Sequence, residues 1–354
     1  MTAPALNVQS IDLAAVQSRV DRTLHDFLET KARNAKDHCL PLDVPAVLRD
    51  FLAAGGKRLR PLLCVLGWHA ASGHGDDTAV VRTAAALEMF HAFCLIHDDI
   101  MDNSATRRGR PTVHRVIADR HDHDHLGTSA AILIGDMALA WSDELLNSAG
   151  HPPHRIAALR RVIDVMRQEV IYGQYLDLMT PLTPIPDDEA ALQVIRFKTA
   201  KYTVERPLHC GATLADADPD LRTALSRYAL PLGEAFQLRD DILGVYGRPG
   251  DTGKPVLDDL REGKHTVLLA LAAQHADTAQ RKLLDTLLGT EGLDHDGAAA
   301  IREVLDDTGA RAAVEAMITT RYARALTALD AVPCPPPAAA ALRHLAARAV
   351  ERTS

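Results

Sequence analysis

Residues 95–111, LIHDDIMDNSATRRGRP, set three aspartates at the tip of an apolar run, with two arginines close behind. Asp98 and Asp102 stand at i and i+4, on one helix face and roughly 6 Å apart along its axis. Asp99 is turned away by about 100°. Like charges at this spacing repel, and the C-terminal end of a helix disfavours anions. A solvated acidic helix end is the plain account of such a stretch. A second carboxylate pair, Asp240 and Asp241 in GEAFQLRDDILG, closes another apolar helix. Two such ends can face each other across a cavity. Hard divalent cations, Mg²⁺ above all, bind through one or two carboxylates plus the phosphates of a substrate. Their arrival would relieve the repulsion.

The positive groups suit the same chemistry. GGKRLRP supplies Lys57, Arg58 and Arg60, and RRGRP supplies Arg107, Arg108 and Arg110. Lys198 follows in RFKTAKY, Lys254 in TGKP and Lys264 in REGKHT. Arginine forks grip phosphate oxygens through paired hydrogen bonds, and lysine acts as a point charge. Any one basic cluster is more often solvated surface. Together with the acids they point to one diphosphate, or two.

These groups need a frame. The chain has 354 residues, 47% of them apolar and only 4% aromatic, with alanine and leucine dominant. That mixture favours helix and a sizeable core. A net charge of −8 argues against general nucleic-acid binding, which needs a basic face. Five scattered cysteines without CxxC spacing give neither a zinc site nor a disulfide framework, so a reducing cytoplasm is the expected compartment. The first residues, MTAPALNVQSIDLAAVQ, lack a basic segment followed by an apolar one, so no secretory leader is expected. No uninterrupted apolar stretch approaches the roughly 18 residues of a membrane span. A greasy substrate would therefore need a pocket in the protein.

Apolar periodicity predicts helices over 11–35, 43–54, 61–72, 78–102, 127–148, 153–179, 189–214, 219–246 and 258–275, and a last one over 338–352. The segment 103–125 reads as polar and irregular. PLTPIPDD (181–188) and GRPGDTGKP (247–255) read as loops, with Asp187 or Asp188 as an N-cap. No useful period-2 alternation, short repeat or linker is evident. The expectation is all-α: one domain over 1–354, a bundle of ten or more helices, with core motifs in 50–275 and C-terminal helices in 276–354.

In this order, GGKRLRP, LIHDDIMDNSATRRGRPTVH, GDMALA, GQYLDL, KTAKYTVERP, GEAFQLRDDILG and TGKPVLDDLREGKHT resemble the signature blocks of the trans-isoprenyl diphosphate synthases, or polyprenyl synthetases. The resemblance implies antiparallel helices around a deep cavity, in a homodimer. It implies three Mg²⁺ ions held by Asp98, Asp102 and Asp240, with Asp99 and Asp241 in support. Arg107, Lys198, Thr199, Gln237, Lys254 and Lys264 would contact an allylic diphosphate. Lys57, Arg58, His91 and Arg108 would bind isopentenyl diphosphate, though a histidine on an apolar helix is also a common core residue. His97 would position the helix end. The reaction implied is ionisation of the allylic C–O bond, attack by the double bond of isopentenyl diphosphate, and loss of a proton to the released diphosphate. Two departures stand out. Gly244 occupies the fifth position of the second motif, where many members have aspartate, and Arg248 stands where an acid is common.

Product length is read from the helix before Asp98. Phe93 is about 7.5 Å deeper and Phe90 about 12 Å deeper, while by angle Cys94 aligns better with Asp98. An aromatic five residues before an uninterrupted DDxxD resembles the archaeal type of geranylgeranyl (C20) synthase, so C20 is expected, with C15 and C25 as alternatives. Phe93 also has an ordinary core-packing account. HDHDH (121–125) reads as a solvated loop rather than a metal site, and Asp258 and Asp259 as the start of a helix. The rivals are a class I terpene cyclase, which would lack the GGKR and RRG sites, and a non-catalytic partner subunit, which would lose an aspartate motif.

Overall fold

The computed structural model describes residues 10–180, 188–247, 257–290 and 292–350. The fold is all-α. Helix α1 (Leu13–Asp37) starts at Asp12, whose carboxylate accepts the N–H groups of Ala14 and Ala15, and buries Val16, Val20, Leu24 and Leu28 at helical spacing. Helices α2 (Asp43–Ala53), α3 (Leu59–Ala70) and α4 (Thr78–Met101) follow. Then come α5 (Val113–His121), α6 (Asp124–Asn147) and α7 (Pro153–Met179). Helix α8 (Asp188–Val194) runs into a π-helical segment (Ile195–Glu205) and on into α9 (Arg206–Leu214). Helix α10 (Pro219–Tyr246) is capped by Asp218, with proline at its first position. Shorter helices lead to a last one at Pro336–Val350.

Buried apolar side chains from Val16 to Val350 form one connected cluster. Helix α4 runs through it, with residues on every side buried. Among the described residues α4 alone is long and apolar enough to cross a bilayer, but 67% of that window is buried in the fold. Isolated polar residues hid this from a search for an unbroken apolar run.

Three segments differ from expectation. Residues 103–125 are not irregular throughout. They hold a two-strand hairpin, β1 (Thr106–Arg107) against β2 (Arg110–Pro111), and then α5, whose short face of Val113, Ile117 and Ala118 is diluted by charged residues. Arg108 and Gly109 form the hairpin tip at φ 54° and 71°, the left-handed pair that a two-residue turn requires. The predicted helix 258–275 is broken into Asp258–Arg261 and Val267–His275, with Gly263 at φ 64° between them. The predicted helix 189–214 changes winding at its centre. HDHDH is not a free loop: His121 ends α5, and His123 caps α6 by accepting the Leu126 N–H.

Candidate active site

The acids that end α4 are already met by cations. Arg107 Nε donates to both oxygens of Asp99, at 2.7 and 2.9 Å, and its Nη2 reaches Asp98 at 3.2 Å. Lys198 Nζ lies 3.1 Å from Asp98 and 2.6 Å from Asp177. Lys264 Nζ lies 3.0 Å from Asp102 and 2.8 Å from Glu262. Asp99 is only 1% exposed. Burial alone would raise the Asp98 carboxyl, but Lys198, Lys264 and Arg107 outweigh it and hold the group well below the usual carboxylate range. Burial likewise disfavours the charge on Lys198, and Asp98 and Asp177 override it, so the ammonium persists.

The π-helical segment links these acids to α10, through Lys198 on one side and Thr199 on the other. Thr199 Oγ1 donates to Gln237 Oε1 at 2.7 Å, and Gln237 Nε2 donates to Asp241 Oδ1 at 2.9 Å. Asp240 and Asp241 are half-buried, and α10 runs on past them to Tyr246, so Gly244 lies within the helix. Two close approaches make this possible. A Cβ on Gly173 would come within 2.4 Å of Lys198 N, and one on Gly233 within 2.4 Å of Ala200 Cα. These glycines let α7 and α10 press onto the π-helical backbone. The wider i→i+5 winding, common at functional sites, brings Lys198 and Thr199 to the carboxylates. Lys254 and Arg248 lie outside the described residues.

A second basic group lies beside α4. Arg58 is 5% exposed and its guanidinium is engaged by Asp21 at 2.7 Å, Glu88 at 2.8 Å and the Leu52 carbonyl at 2.7 Å. It is placed to brace the GGKR turn, in which it sits at φ 46°. Arg60 follows in the same motif, at the start of α3. Its guanidinium covers the Tyr202 ring at 4.3 Å, donates to Thr203 at 2.6 Å, and keeps a buried Nε without a partner. Arg108 donates to the Gly55 carbonyl. His91 meets the Tyr202 hydroxyl at 3.2 Å. Burial, then the charges of Arg60, Arg108, Arg107 and Arg58, drive its pKa well below the ordinary value, so His91 is neutral. Lys57 is exposed at the turn. Arg110 is exposed and, together with Arg107, Arg108, Phe51 and Val113, lines a cavity of about 230 Å³.

Behind the acids, the wall turns apolar. Cys94 is half-buried, and desolvation pushes its thiol pKa up to about 12 even with Tyr202 beside it, so it is no thiolate. The Phe90 ring packs on Tyr202 at 5.9 Å and on Phe93 at 5.3 Å. Phe93 in turn meets the His97 ring at 4.7 Å. His97 bonds the Phe93 carbonyl and approaches Asp136 of α6 at 3.5 Å, which pins the end of α4 to α6.

Asp177 and Glu262 pair with Lys198 and Lys264 and are site residues that sequence reasoning did not single out. The signal for Asp177 lay in GQYLDL, one of the quoted blocks.

Residues 43–305 match the profile of the polyprenyl synthetase family. A short chain isoprenyl diphosphate synthase of Methanocaldococcus jannaschii is 33% identical, over 82% of this chain and 81% of its own. A geranylfarnesyl diphosphate synthase of Aeropyrum pernix is 34% identical, over 80% of this chain and 86% of its own. Among solved structures, a geranylgeranyl pyrophosphate synthase of Corynebacterium glutamicum, complexed with isoprenyl diphosphate and magnesium, superposes with a TM-score of 0.93. It is 42% identical, over 97% of this chain and 100% of that one.

Proposed function

The chain belongs to the polyprenyl synthetase family and is a prenyl diphosphate synthase, a prenyltransferase, and from that premise we propose that it makes geranylgeranyl diphosphate (C20) from isopentenyl diphosphate and an allylic diphosphate. The observation that carries the reading is the pair of neighbouring cationic sites. One group, Arg107, Lys198 and Lys264, stands at the α4 carboxylates. The other, Arg60 and Arg108, stands around neutral His91. Two diphosphates need two such sites.

Among the described residues no cluster of three or more metal-ligating side chains is preassembled. That suits magnesium, which binds through one or two carboxylates and completes its shell with water and substrate phosphates. Asp98, Asp102 and Asp240 would hold it, and three ions are the expected complement. When bound, it supplies positive charge to the departing diphosphate. The protein does the rest. Arg107, Lys198 and Lys264 release carboxylate oxygens to grip phosphate oxygens, so no charge is left unpaired. Charge then leaves the allylic carbon with the diphosphate as the C–O bond breaks. Thr199 and Gln237 turn dipoles toward the cation. Arg60, Arg108, Lys57 and neutral His91 hold isopentenyl diphosphate so that its double bond attacks that carbon. The new C–C bond forms, and the released diphosphate takes the proton.

The Phe90 and Phe93 rings, one to two turns behind Asp98, support a short tail space and the C20 assignment. An exposed apolar stripe on α6 and α7, including Leu133, Ile171, Tyr172 and Tyr175, supports a homodimer. Five free thiols accord with the cytoplasm. The connected core supports one catalytic unit over the whole chain.

The test is direct. The purified chain is incubated with Mg²⁺, isopentenyl diphosphate and, separately, C5, C10 and C15 allylic diphosphates, and the products are sized. C20 from each is expected. A main product of C15 or C25 would overturn the length, and no elongation would overturn the reaction. Phe93→Ala should lengthen the product; an unchanged profile would reject Phe93 as the floor.

A further inference from the structure

Two turns behind Asp98 the apolar wall meets a charge. The Arg167 guanidinium of α7 lies 5.2 Å from the centre of the Phe90 ring. Its Nη2 donates to Asp143 of α6 at 2.8 Å and to Ser142 at 3.1 Å, and its Nη1 reaches Asp143 at 3.3 Å. Its Nε is buried without a partner. Beyond this contact is a void of about 10 Å³, lined by Leu87, Leu146, Ile163 and Met166. The charge is near enough to act on Cys94, one turn from Asp98.

An ion pair that merely joined two surface helices would not leave a donor buried, nor hold its guanidinium on a ring inside the bundle. A prenyl tail moving along α4 passes Cys94, meets Phe90, and then meets this group. Phenylalanine alone can turn aside. A guanidinium tied to α6 cannot do so without losing bonds that hydrocarbon does not replace. We propose that Arg167, clamped by Asp143 and Ser142, is a chain-length determinant: a charged stop that fixes the Phe90 ring and closes the deep end of the tail tunnel between α6 and α7. Asp143 is then a positioning residue, acting only through Arg167. The inference rests on the prenyl diphosphate synthase reading.

Two full-length variants test it. Arg167→Met keeps the length of the side chain and removes the charge. Asp143→Asn keeps the arginine and loosens its clamp. Each is assayed with isopentenyl diphosphate and C10 and C15 allylic diphosphates, the products are dephosphorylated and sized by mass spectrometry, and thermal melts verify folding. Relative to the wild-type chain's own main product, longer products should rise about tenfold in Arg167→Met and less in Asp143→Asn. An unchanged length profile in folded Arg167→Met overturns the proposal. Should that variant not fold, an unchanged profile in Asp143→Asn does the same. Because the comparison is internal, a wild-type product other than C20 leaves the inference standing. Wild-type protein that elongates nothing would refute the underlying reading instead.

Discussion

Helix α4 and helix α10 each present adjacent aspartates late in an apolar helix, and the fold surrounds the two pairs differently. At α4, Arg107, Lys198 and Lys264 sit on Asp98, Asp99 and Asp102 at hydrogen-bonding distance. On α10, Asp241 accepts from an amide, Gln237, which Thr199 holds in turn. Helix α4 stops at its acids, while α10 continues to Tyr246. The α4 acids are thus kept ionised by cations that can exchange carboxylate for phosphate. On α10, the Asp241 carboxylate takes an amide hydrogen bond from its own helix, which runs on without a break. On this account the first end carries most of the charge exchange on substrate binding, and the second completes it.

The largest expected effect separates the two ends. Asp98→Ala should lower kcat/KM by about a thousandfold or more in a steady-state condensation assay. Asp241→Ala should lower it by about ten- to a hundredfold. Equal losses would break the comparison.

The basic side offers the next contrast. Arg58→Met leaves Glu88 buried without its cation and should cost about 3–5 kcal/mol in chemical denaturation. Arg60→Met should raise KM for isopentenyl diphosphate while leaving the melting temperature nearly unchanged. The reverse pattern would return the substrate role to Arg58.

A smaller effect comes with pH. Burial is the main cause that lowers the pKa of His69, His91, His114, His151, His209 and His265. In the unfolded chain these groups bind protons near their ordinary value of 6.5. The unfolded state therefore holds more protons below that value, and stability is lost as pH falls through it. The melting temperature should drop between about pH 7 and pH 5.5. Asp98, held low, stays ionised over that window and should not contribute. A flat profile would contradict the neutral histidines.

The smallest effect concerns the departure in the second motif. Gly244→Asp should change kcat/KM by no more than about twofold. A large gain would mean that α10 lacks a ligand that it needs.

Much of the site was legible because its chemistry is local. DDIMD on a helix and the lysines and arginines around it, such as Arg107, Lys198 and Lys264, could be read from type and spacing. Helix α4 was legible for the same reason, its apolar run being long. What escaped depends on partners distant in sequence. That Arg58 is held by Asp21 and Glu88 while Arg60 covers Tyr202 and bonds Thr203 depends on partners that no local pattern ties to GGKR. Asp177 gains its meaning only when α7 meets Lys198 across Gly173. The π winding at 195–205 leaves no apolar period distinct from that of an α-helix over so short a span. The hairpin and α5 were lost because charged residues outnumber their few buried ones.

The central claim is that the α4 carboxylates and their cations form a metal-dependent diphosphate site. Isothermal calorimetry with a non-hydrolysable allylic bisphosphonate, with and without Mg²⁺, tests it most directly. The account predicts uptake by the wild-type chain only when the metal is present, and none by Asp98→Ala. Equal uptake without metal, or unchanged uptake by the variant, would contradict it.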